Sequence, residues 1–251
     1  MGDTGNRRIE CRVVELTKAA RDVHVVHLDV GAGGPFSFRA GQYASLTFDG
    51  FAARDYSMAN RPDERPLEFH IRETGDDGAS DYVARGLRLG ERVSLAGPFG
   101  DAWLRADHAG PVLAVAGSSG LAPIKSIVEA ALAGGAPPAI HLYFGTRDEP
   151  DIYLEDRFEA LARDIPNFRY VTVLSEPSAA TPRRTGNVTD AIAADLATLD
   201  GFKAYVAGPP AMVEAAVALL RRRGMADADI HADPFHSKAE MAALRAEGFN
   251  R

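Results

Sequence analysis

Short runs in which apolar and polar residues mix or alternate fill most of the first 108 positions. Six of these runs, separated mostly by Gly or Pro turns, are IECRVVELT, VHVVHLDV, QYASLTF, RDYSMA, LEFHIRE and RVSLAG. Evenly spaced short strands of this kind are typical of a small antiparallel barrel or sandwich. One short helix is predicted before the last run, from Ser80 to Leu87.

The pattern changes after Gly110 and Pro111, where apolar runs begin to alternate with helix-like stretches. The runs VLAVA, IHLYF, RYVTVL and KAYVA are each followed by such a stretch: PIKSIVEAALAG, LEDRFEALAR, VTDAIAADL and AMVEAAVALLRRRG. This alternation favours a parallel sheet covered on both faces. The sequence therefore predicts two domains, an antiparallel β-barrel over residues 1–108 and an α/β doubly wound parallel sheet over residues 109–235.

A C-terminal extension is predicted over residues 236–251, and Lys238 to Phe249 has a helical pattern. This helix either packs against the surface or forms a lid or docking element. The boundary between the two domains is expected within RADHAGP, which has the polar, Gly/Pro-containing character of a linker.

Composition and charge exclude several classes of protein. The 251 residues are 46% hydrophobic, enough for two domains, and no run reaches the length of a membrane-spanning helix. The N-terminus lacks the apolar core of a signal peptide, so a cytoplasmic protein is expected. A net charge of −7 argues against a nucleic-acid partner. The single cysteine, Cys11, excludes an internal disulfide and a four-cysteine iron–sulfur or zinc site within this chain, and no metal site is predicted.

Two strand–helix junctions carry the clearest candidate chemistry. AGSSGLAP, residues 116–123, and AGPPAM, residues 207–212, both follow an apolar strand and precede a helix. Ligands of doubly wound sheets bind at this edge, where glycines let the backbone approach a phosphate and a helix N-terminus attracts it. Either loop alone is also consistent with tight packing. Two loops at one edge indicate a common ligand.

Three further segments have both a functional and a structural interpretation. Arg147 in FGTR offers a phosphate a forked donor, or forms a surface salt bridge. GDDGAS, residues 75–80, precedes the short helix and presents a second anion site, or is simply capped by Ser80. RDYS, residues 54–57, places a cation, a flat ring and a hydroxyl at the end of a strand, as a planar phosphate-bearing ligand would require.

Together the ordered motifs RDYS, GAS, GPFGDAWLR, AGSSGLAP, FGTR, LSEP and AGPPAM resemble the ferredoxin–NADP reductase family, over residues 8–236. The sequence is most similar to the reductase components of bacterial oxygenases and multicomponent monooxygenases. The resemblance implies FAD on the barrel and NAD(P) on the α/β domain, with hydride transfer from the nicotinamide to the flavin. It also implies an external electron acceptor, a separate 2Fe–2S ferredoxin or an oxygenase component.

The resemblance also implies roles for individual residues. Arg54 pairs with the flavin pyrophosphate, Tyr56 lies along the flavin, and the two residues assigned to catalysis are Ser57, near the flavin N5, and Phe235, beside the ring. The remaining flavin contacts are expected at His70, Ile71, Arg72, Gly78, Ala79 and Ser80. The nucleotide contacts are expected at Gly117, Ser118, Ser119, Gly120, Ala122, Pro123, Arg147, Ser175, Glu176, Gly208, Pro209, Pro210 and Met212.

The chain departs from the family pattern at two positions. Ala207 stands where many members have a cysteine, and Ser118 replaces the second glycine of the nucleotide loop. Two alternatives to a ferredoxin-directed reductase therefore stay open. One is a free-flavin or ferric reductase. The other is a nucleotide-sensing subunit without turnover.

A preference for NADH over NADPH is expected from the segment after RYVTVL. Members that use NADPH tend to place a serine and an arginine there. This sequence keeps Ser175 but has Glu176 in place of the arginine, and a carboxylate repels a 2′-phosphate. Arg183 and Arg184 follow in a Pro-containing loop, which either folds back toward the same pocket or is solvated.

Overall fold

The computed structural model describes residues 7–31, 36–135 and 137–236. The first domain contains six strands: β1 (Arg7–Lys18), β2 (Val23–Asp29), β3 (Tyr43–Phe48), β4 (Arg54–Ser57), β5 (Leu67–Arg72) and β6 (Arg92–Phe99). They form one antiparallel sheet in the order β4-β3-β6-β1-β2-β5. A bridge between Met58 and Phe69 brings the two edges of this sheet together. The predicted barrel is confirmed.

Side-chain alternation in β5 divides its residues between two environments. Leu67, Phe69 and Ile71 are buried in the barrel core, with relative exposures of 1% or less. The residues between them, Glu68 and His70, therefore point out of the barrel, where they reach Lys125 and Tyr153 of the second domain. A short helix, α1 (Ala79–Arg85), follows β5.

The second domain is a six-stranded parallel sheet. Its strands are β7 (Val112–Gly117), β8 (Ile140–Thr146), β9 (Phe168–Leu174), β10 (Arg184–Thr185), β11 (Lys203–Gly208) and β12 (Ile230–Pro234). Its helices are α2 (Leu121–Ala133), α3 (Glu155–Asp164), α4 (Val188–Asp195) and α5 (Pro210–Arg222). The strand order is β10-β9-β8-β7-β11-β12, and apolar clusters cover both faces. The predicted doubly wound sheet is confirmed.

The order of the strands reverses at β7, which lies between β8 and β11. Ligands of open parallel sheets bind at such a reversal, outside the carboxyl ends of the strands. The predicted domain boundary at residues 108 and 109 falls between β6 and β7. The short strands β10 and β12 were not predicted. The predicted extension lies outside the described residues, except for His236. Among the described residues, no helix is long and apolar enough to cross a membrane.

A buried polar cluster, here called the interdomain latch, joins the two domains. It consists of Glu68, His70, Lys125 and Tyr153. Lys125 Nζ lies 2.8 Å from Glu68 Oε2 and donates to the Ala59 carbonyl at 3.2 Å. Glu68 Oε1 lies 2.8 Å from His70 Nε2, and His70 Nδ1 lies 3.2 Å from the Tyr153 hydroxyl. The latch therefore runs from a helix of the second domain, through β5, and back to the second domain.

Protonation states in the latch follow from burial and from the neighbouring charges. Burial lowers the pKa of His70, so the imidazole is neutral near pH 7, with its proton on the nitrogen that faces Glu68. Burial alone would raise the pKa of Glu68. The hydrogen bond from His70 and the charge of Lys125 outweigh burial, and the pKa of Glu68 is lowered to about 2. Glu68 thus stays ionised and bound to Lys125.

Lys125→Met tests the contribution of the latch to stability. Removal of the ammonium leaves Glu68 buried without its cation, which costs about 3–5 kcal/mol of the free energy of unfolding. Lys18→Met, at an exposed position of β1, should cost less than about 1 kcal/mol. Urea unfolding of both variants gives the comparison.

The pH dependence provides a second readout. Because folding lowers the pKa of Glu68 from 4.5 to about 2, its contribution is complete above pH 4.5 and is lost as the pH falls toward 2. Lys125→Met should reduce this loss. Equal stabilities of the two lysine variants, with equal slopes in acid, would contradict a stabilising latch.

Candidate functional site

A cleft of about 460 Å³ opens at the carboxyl ends of the central parallel strands. Gly117, Thr146 and Ser175, which end or follow β7, β8 and β9, contribute to its wall. The barrel closes the opposite side with Asp22 and Arg72. The remaining lining residues are Val23, Ser118, Gly145, Arg147, Asp151, Val173, Gly186, Asn187, Val188, Thr189, Pro209, Ala211, Met212 and Ala215. Both domains therefore contribute to one ligand-sized cavity.

The glycines of the two nucleotide loops bring the loops into direct contact. A Cβ added to Gly120 would lie 2.2 Å from the Ala207 carbonyl oxygen, and one added to Gly208 would lie 2.7 Å from that of Gly117. Close packing between the loops therefore requires these two glycines. Gly117 itself lines the cleft, where a Cβ would meet Met212 Sδ at 2.5 Å.

Ser118 occupies a left-handed conformation, with φ of 51°. A residue other than glycine pays roughly 1–2 kcal/mol in this region, which explains why a glycine suits the position. Ser118 nevertheless lines the cleft, and its carbonyl lies 3.5 Å from the Tyr153 hydroxyl of the latch. Ser119 is half-buried beside it and does not line the cleft. Ala122 and Pro123 are buried in the first turn of α2, which directly follows the loop.

The second loop contributes Pro209 and Met212 to the cleft wall. Pro210 is the first residue of α5, and Gly208 accepts a hydrogen bond from the Phe235 backbone N–H at 2.8 Å. Phe235 is half-buried against the apolar cluster that contains Ala207. The predicted aromatic residue therefore lies beside the nucleotide loops.

The ends of β8 and β9 form the rim of the cleft. Ser175 and Arg147 line it and are exposed. Ser175 N–H donates to the Thr146 carbonyl at 2.9 Å, and Glu176 N–H donates to the Arg147 carbonyl at 2.8 Å. Glu176 is exposed next to Ser175 but does not line the cavity.

Arg183 and Arg184 point away from the cleft. Arg183 pairs with Glu149 at 2.9 Å and with Glu155. Arg184 pairs with Asp195 of α4. Neither arginine lines the cleft. Their side chains are held in ion pairs elsewhere on the surface, so the fold-back arrangement is not observed.

The residues of RDYS lie along β4, at one edge of the barrel sheet. Arg54 is half-buried, and within the described ranges its guanidinium has no ion pair. Tyr56 is half-buried against the barrel core, and its pKa is raised, mainly by burial and further by Asp76, Asp55 and Asp81. Ser57 is buried and pairs with Tyr43 of β3. An unpaired, half-buried guanidinium beside a phenol ring suits a phosphate-bearing aromatic ligand.

The α1 segment is open at its N-terminus. Gly78 is the N-cap residue, and no side chain caps the helix. Ser80 is the second helical residue, and its hydroxyl lies 2.9 Å from Thr74 Oγ1. The capping role considered for Ser80 is therefore wrong. Asp76 Oδ1 accepts from the Gly78 N–H at 3.1 Å, and the Asp81 N–H donates to the Gly78 carbonyl at 3.1 Å. The N–H groups of Ala79 and Ser80, for which the described part of the chain offers no acceptor, are the ones that could face an anion.

Strand β5 contains the three residues predicted to line the flavin, His70, Ile71 and Arg72, and their side chains lie in three different environments. Ile71 belongs to the barrel core and His70 to the latch, and neither side chain lines the cleft. That these two residues contact a flavin, through their backbone atoms, stays a prediction. Arg72 lines the cleft, 3.9 Å from Asp22.

Several cleft residues were missed by sequence reasoning. Asn187 and Thr189 lie at the start of α4, where Asn187 and Asp190 form a capping box. This Asn-x-x-Asp pattern was a usable sequence signal. Asp22 had no such signal, because its turn reaches the cleft only through the packing of the domains.

Comparisons with known proteins agree with this architecture. The sequence model of one protein family, the oxidoreductase NAD-binding domain, matches residues 114–218. The chain is 43% identical over 230 residues to the ferredoxin–NAD(P)+ reductase component of the naphthalene 1,2-dioxygenase/salicylate 5-hydroxylase systems of Ralstonia sp.. That match covers 92% of this chain and 70% of the relative. The reductase subunit of an aromatic O-demethylase from Amycolatopsis is 40% identical, with 91% and 70% covered.

Solved structures show the same two-domain arrangement. The crystal structure of an Amycolatopsis cytochrome P450 reductase superposes with a TM-score of 0.88 at 37% identity, over 94% of this chain and 72% of that chain. The ferredoxin reductase of carbazole 1,9a-dioxygenase superposes with a TM-score of 0.84 at 26% identity, covering 94% and 71%. With two domains, a shared cleft and relatives of this similarity, the chain belongs to the ferredoxin–NAD(P)+ reductase family, among the reductase components of oxygenase systems.

Proposed function

We propose that this protein is an FAD-containing reductase that takes electrons from NADH and delivers them to a ferredoxin serving an oxygenase. The observation that carries the proposal is the cleft, because its walls combine the nucleotide loops of the parallel sheet with Arg72 of the barrel. A ligand in this cleft contacts both domains at once. The named relatives are reductase components of oxygenase systems.

The residues of the barrel fit FAD. The guanidinium of Arg54 has no ion pair with any residue that the structure describes, and α1 begins with N–H groups that no side chain caps, which suits a pyrophosphate. Tyr56 offers a flat ring beside them. When bound, FAD supplies a centre that accepts a hydride from a nicotinamide and releases electrons singly. The proposed work of the protein is to bind and orient the two ligands, with Ser57 and Phe235 nearest the reacting rings.

After the flavin, the electrons are proposed to pass to an iron–sulfur cluster that the described residues do not hold. Cys11 is the single cysteine of the sequence and is buried in the barrel. Burial raises the pKa of its thiol to about 12, so it is not a thiolate ligand at neutral pH. One buried thiol cannot hold an iron–sulfur cluster. A cluster-bearing ferredoxin is the acceptor that the names of the relatives suggest.

Charge at the rim of the cleft supports the preference for NADH. Glu176 is exposed beside Ser175 and brings a negative charge to the end of β9. Arg183 and Arg184, the nearby cations, are held by other carboxylates. Arg147 also lies at this rim, and the carboxylate of Asp22, 3.8 Å away, offsets part of its charge. A 2′-phosphate beside Ser175 would therefore meet the Glu176 carboxylate, which repels it.

Arg54→Ala tests the flavin site. Loss of a charge-assisted hydrogen bond should weaken FAD binding by about 1.5–3 kcal/mol, measured by titrating FAD into the flavin-free protein. Arg12→Ala is the matched control, because the exposed guanidinium of Arg12 donates to the Gly90 carbonyl at the barrel surface. FAD affinity equal to wild type in both variants would remove Arg54 from the site.

Glu176→Arg tests the nucleotide preference. Wild type should show the higher kcat/KM with NADH, and the substitution should shift the ratio toward NADPH by about tenfold or more, because it exchanges repulsion for attraction. Steady-state kinetics with ferricyanide as acceptor measure both cofactors. Arg184→Ala should leave the ratio unchanged. A wild-type preference for NADPH would show that the interpretation of Glu176 is wrong.

A further inference from the structure

One acidic side chain stands between two arginines in the cleft, one from each domain. Asp22 Oδ2 lies 3.9 Å from Arg72 Nε and 3.8 Å from Arg147 Nη2. All three residues line the cavity. A single carboxylate oxygen therefore occupies a position where two guanidinium groups converge, at the wall of a cavity large enough for a nucleotide. This is the kind of position that a phosphate oxygen takes in other proteins.

The contacts of Asp22 are too long to tie up either arginine. A hydrogen bond to an oxygen requires about 2.7–3.2 Å, so both guanidinium groups attract Asp22 without donating to it. The neighbouring Arg21 shows the contrast, because its Nε lies 2.9 Å from Asp151. The side chains of Arg72 and Arg147 are 39% and 59% exposed. An incoming anion can therefore use their donors.

The backbone of Asp22 is fixed from both sides. Its carbonyl accepts from the Glu73 N–H at 2.7 Å, and the N–H of Arg21 donates to the Pro150 carbonyl at 3.0 Å. Arg21 also pairs with Asp148 and Asp151. These contacts hold the backbone of the turn in place, while rotation of the Asp22 side chain breaks none of them. Its negative charge remains close to any phosphate in the cleft.

We propose that Asp22 determines nucleotide affinity and selectivity by competing with the phosphates of the ligand for Arg72 and Arg147. The proposal rests on the proposed function of the cleft. In the free protein the carboxylate offsets two positive charges. In the complex it opposes a dinucleotide that carries a 2′-phosphate more strongly than one that does not, because the 2′-phosphate adds about 1.5–2 negative charges.

The test is titration calorimetry of the flavin-loaded protein with NAD+ and NADP+. Asp22→Asn should tighten NAD+ binding about threefold and NADP+ binding about tenfold, so the ratio of the two Kd values shifts by about threefold. Asp22→Glu keeps the charge and should retain the selectivity of wild type. Asp22→Ser repeats the neutral substitution with a smaller side chain, should the amide disturb folding.

Asp200→Asn is the matched control. Asp200 is exposed just before β11 begins, at the opposite edge of the parallel sheet, and the substitution makes the same change in net charge. Its Kd values should equal those of wild type. Unchanged or weaker binding of both nucleotides to Asp22→Asn would overturn this inference alone. Failure of the wild type to bind either nucleotide would overturn the proposed function and this inference with it.

Discussion

The buried pair of Lys125 and Glu68 holds the two halves of the site together. Each half is incomplete alone, because the barrel contributes Arg72 and the parallel sheet contributes the nucleotide loops. Lys125 also donates to the Ala59 carbonyl, so one ammonium fixes both the strand and the turn that follows β4. Charges buried this deeply are costly unless paired, so the pair restricts the domains to one arrangement.

A chain of contacts connects this buried pair to the first nucleotide loop. His70 carries the contact from Glu68 to Tyr153, whose hydroxyl lies 3.5 Å from the Ser118 carbonyl. Ser118 holds a strained conformation at the wall of the cleft. On the other side, the turn at Arg21 is bound to the segment that follows Arg147. The cleft is therefore defined from both ends by contacts between the domains.

Periodicity predicted the barrel and the parallel sheet, because period-2 and helical patterns record which face of each element is buried. The glycine-containing junctions between strands and helices predicted the edge at which ligands bind. The short strands β10 and β12 were missed, since β10 has two residues and pairs only with β9. The motifs located the nucleotide loops but not the reason for their glycines, which is contact between Gly120 and Ala207. Asp22 and the latch depend on contacts between residues distant in sequence, which a single sequence does not show.

The proposed route takes electrons from NADH through a flavin held on the barrel to a ferredoxin. Anaerobic stopped-flow mixing of the FAD-loaded protein with NADH, followed by a 2Fe–2S ferredoxin, tests it most directly. We expect stoichiometric loss of the flavin absorbance with NADH, a slower loss with NADPH, and then reduction of the ferredoxin. Bound FAD whose absorbance NADH does not change, or reduced FAD that transfers electrons to free flavin or ferric iron but not to ferredoxin, would contradict it.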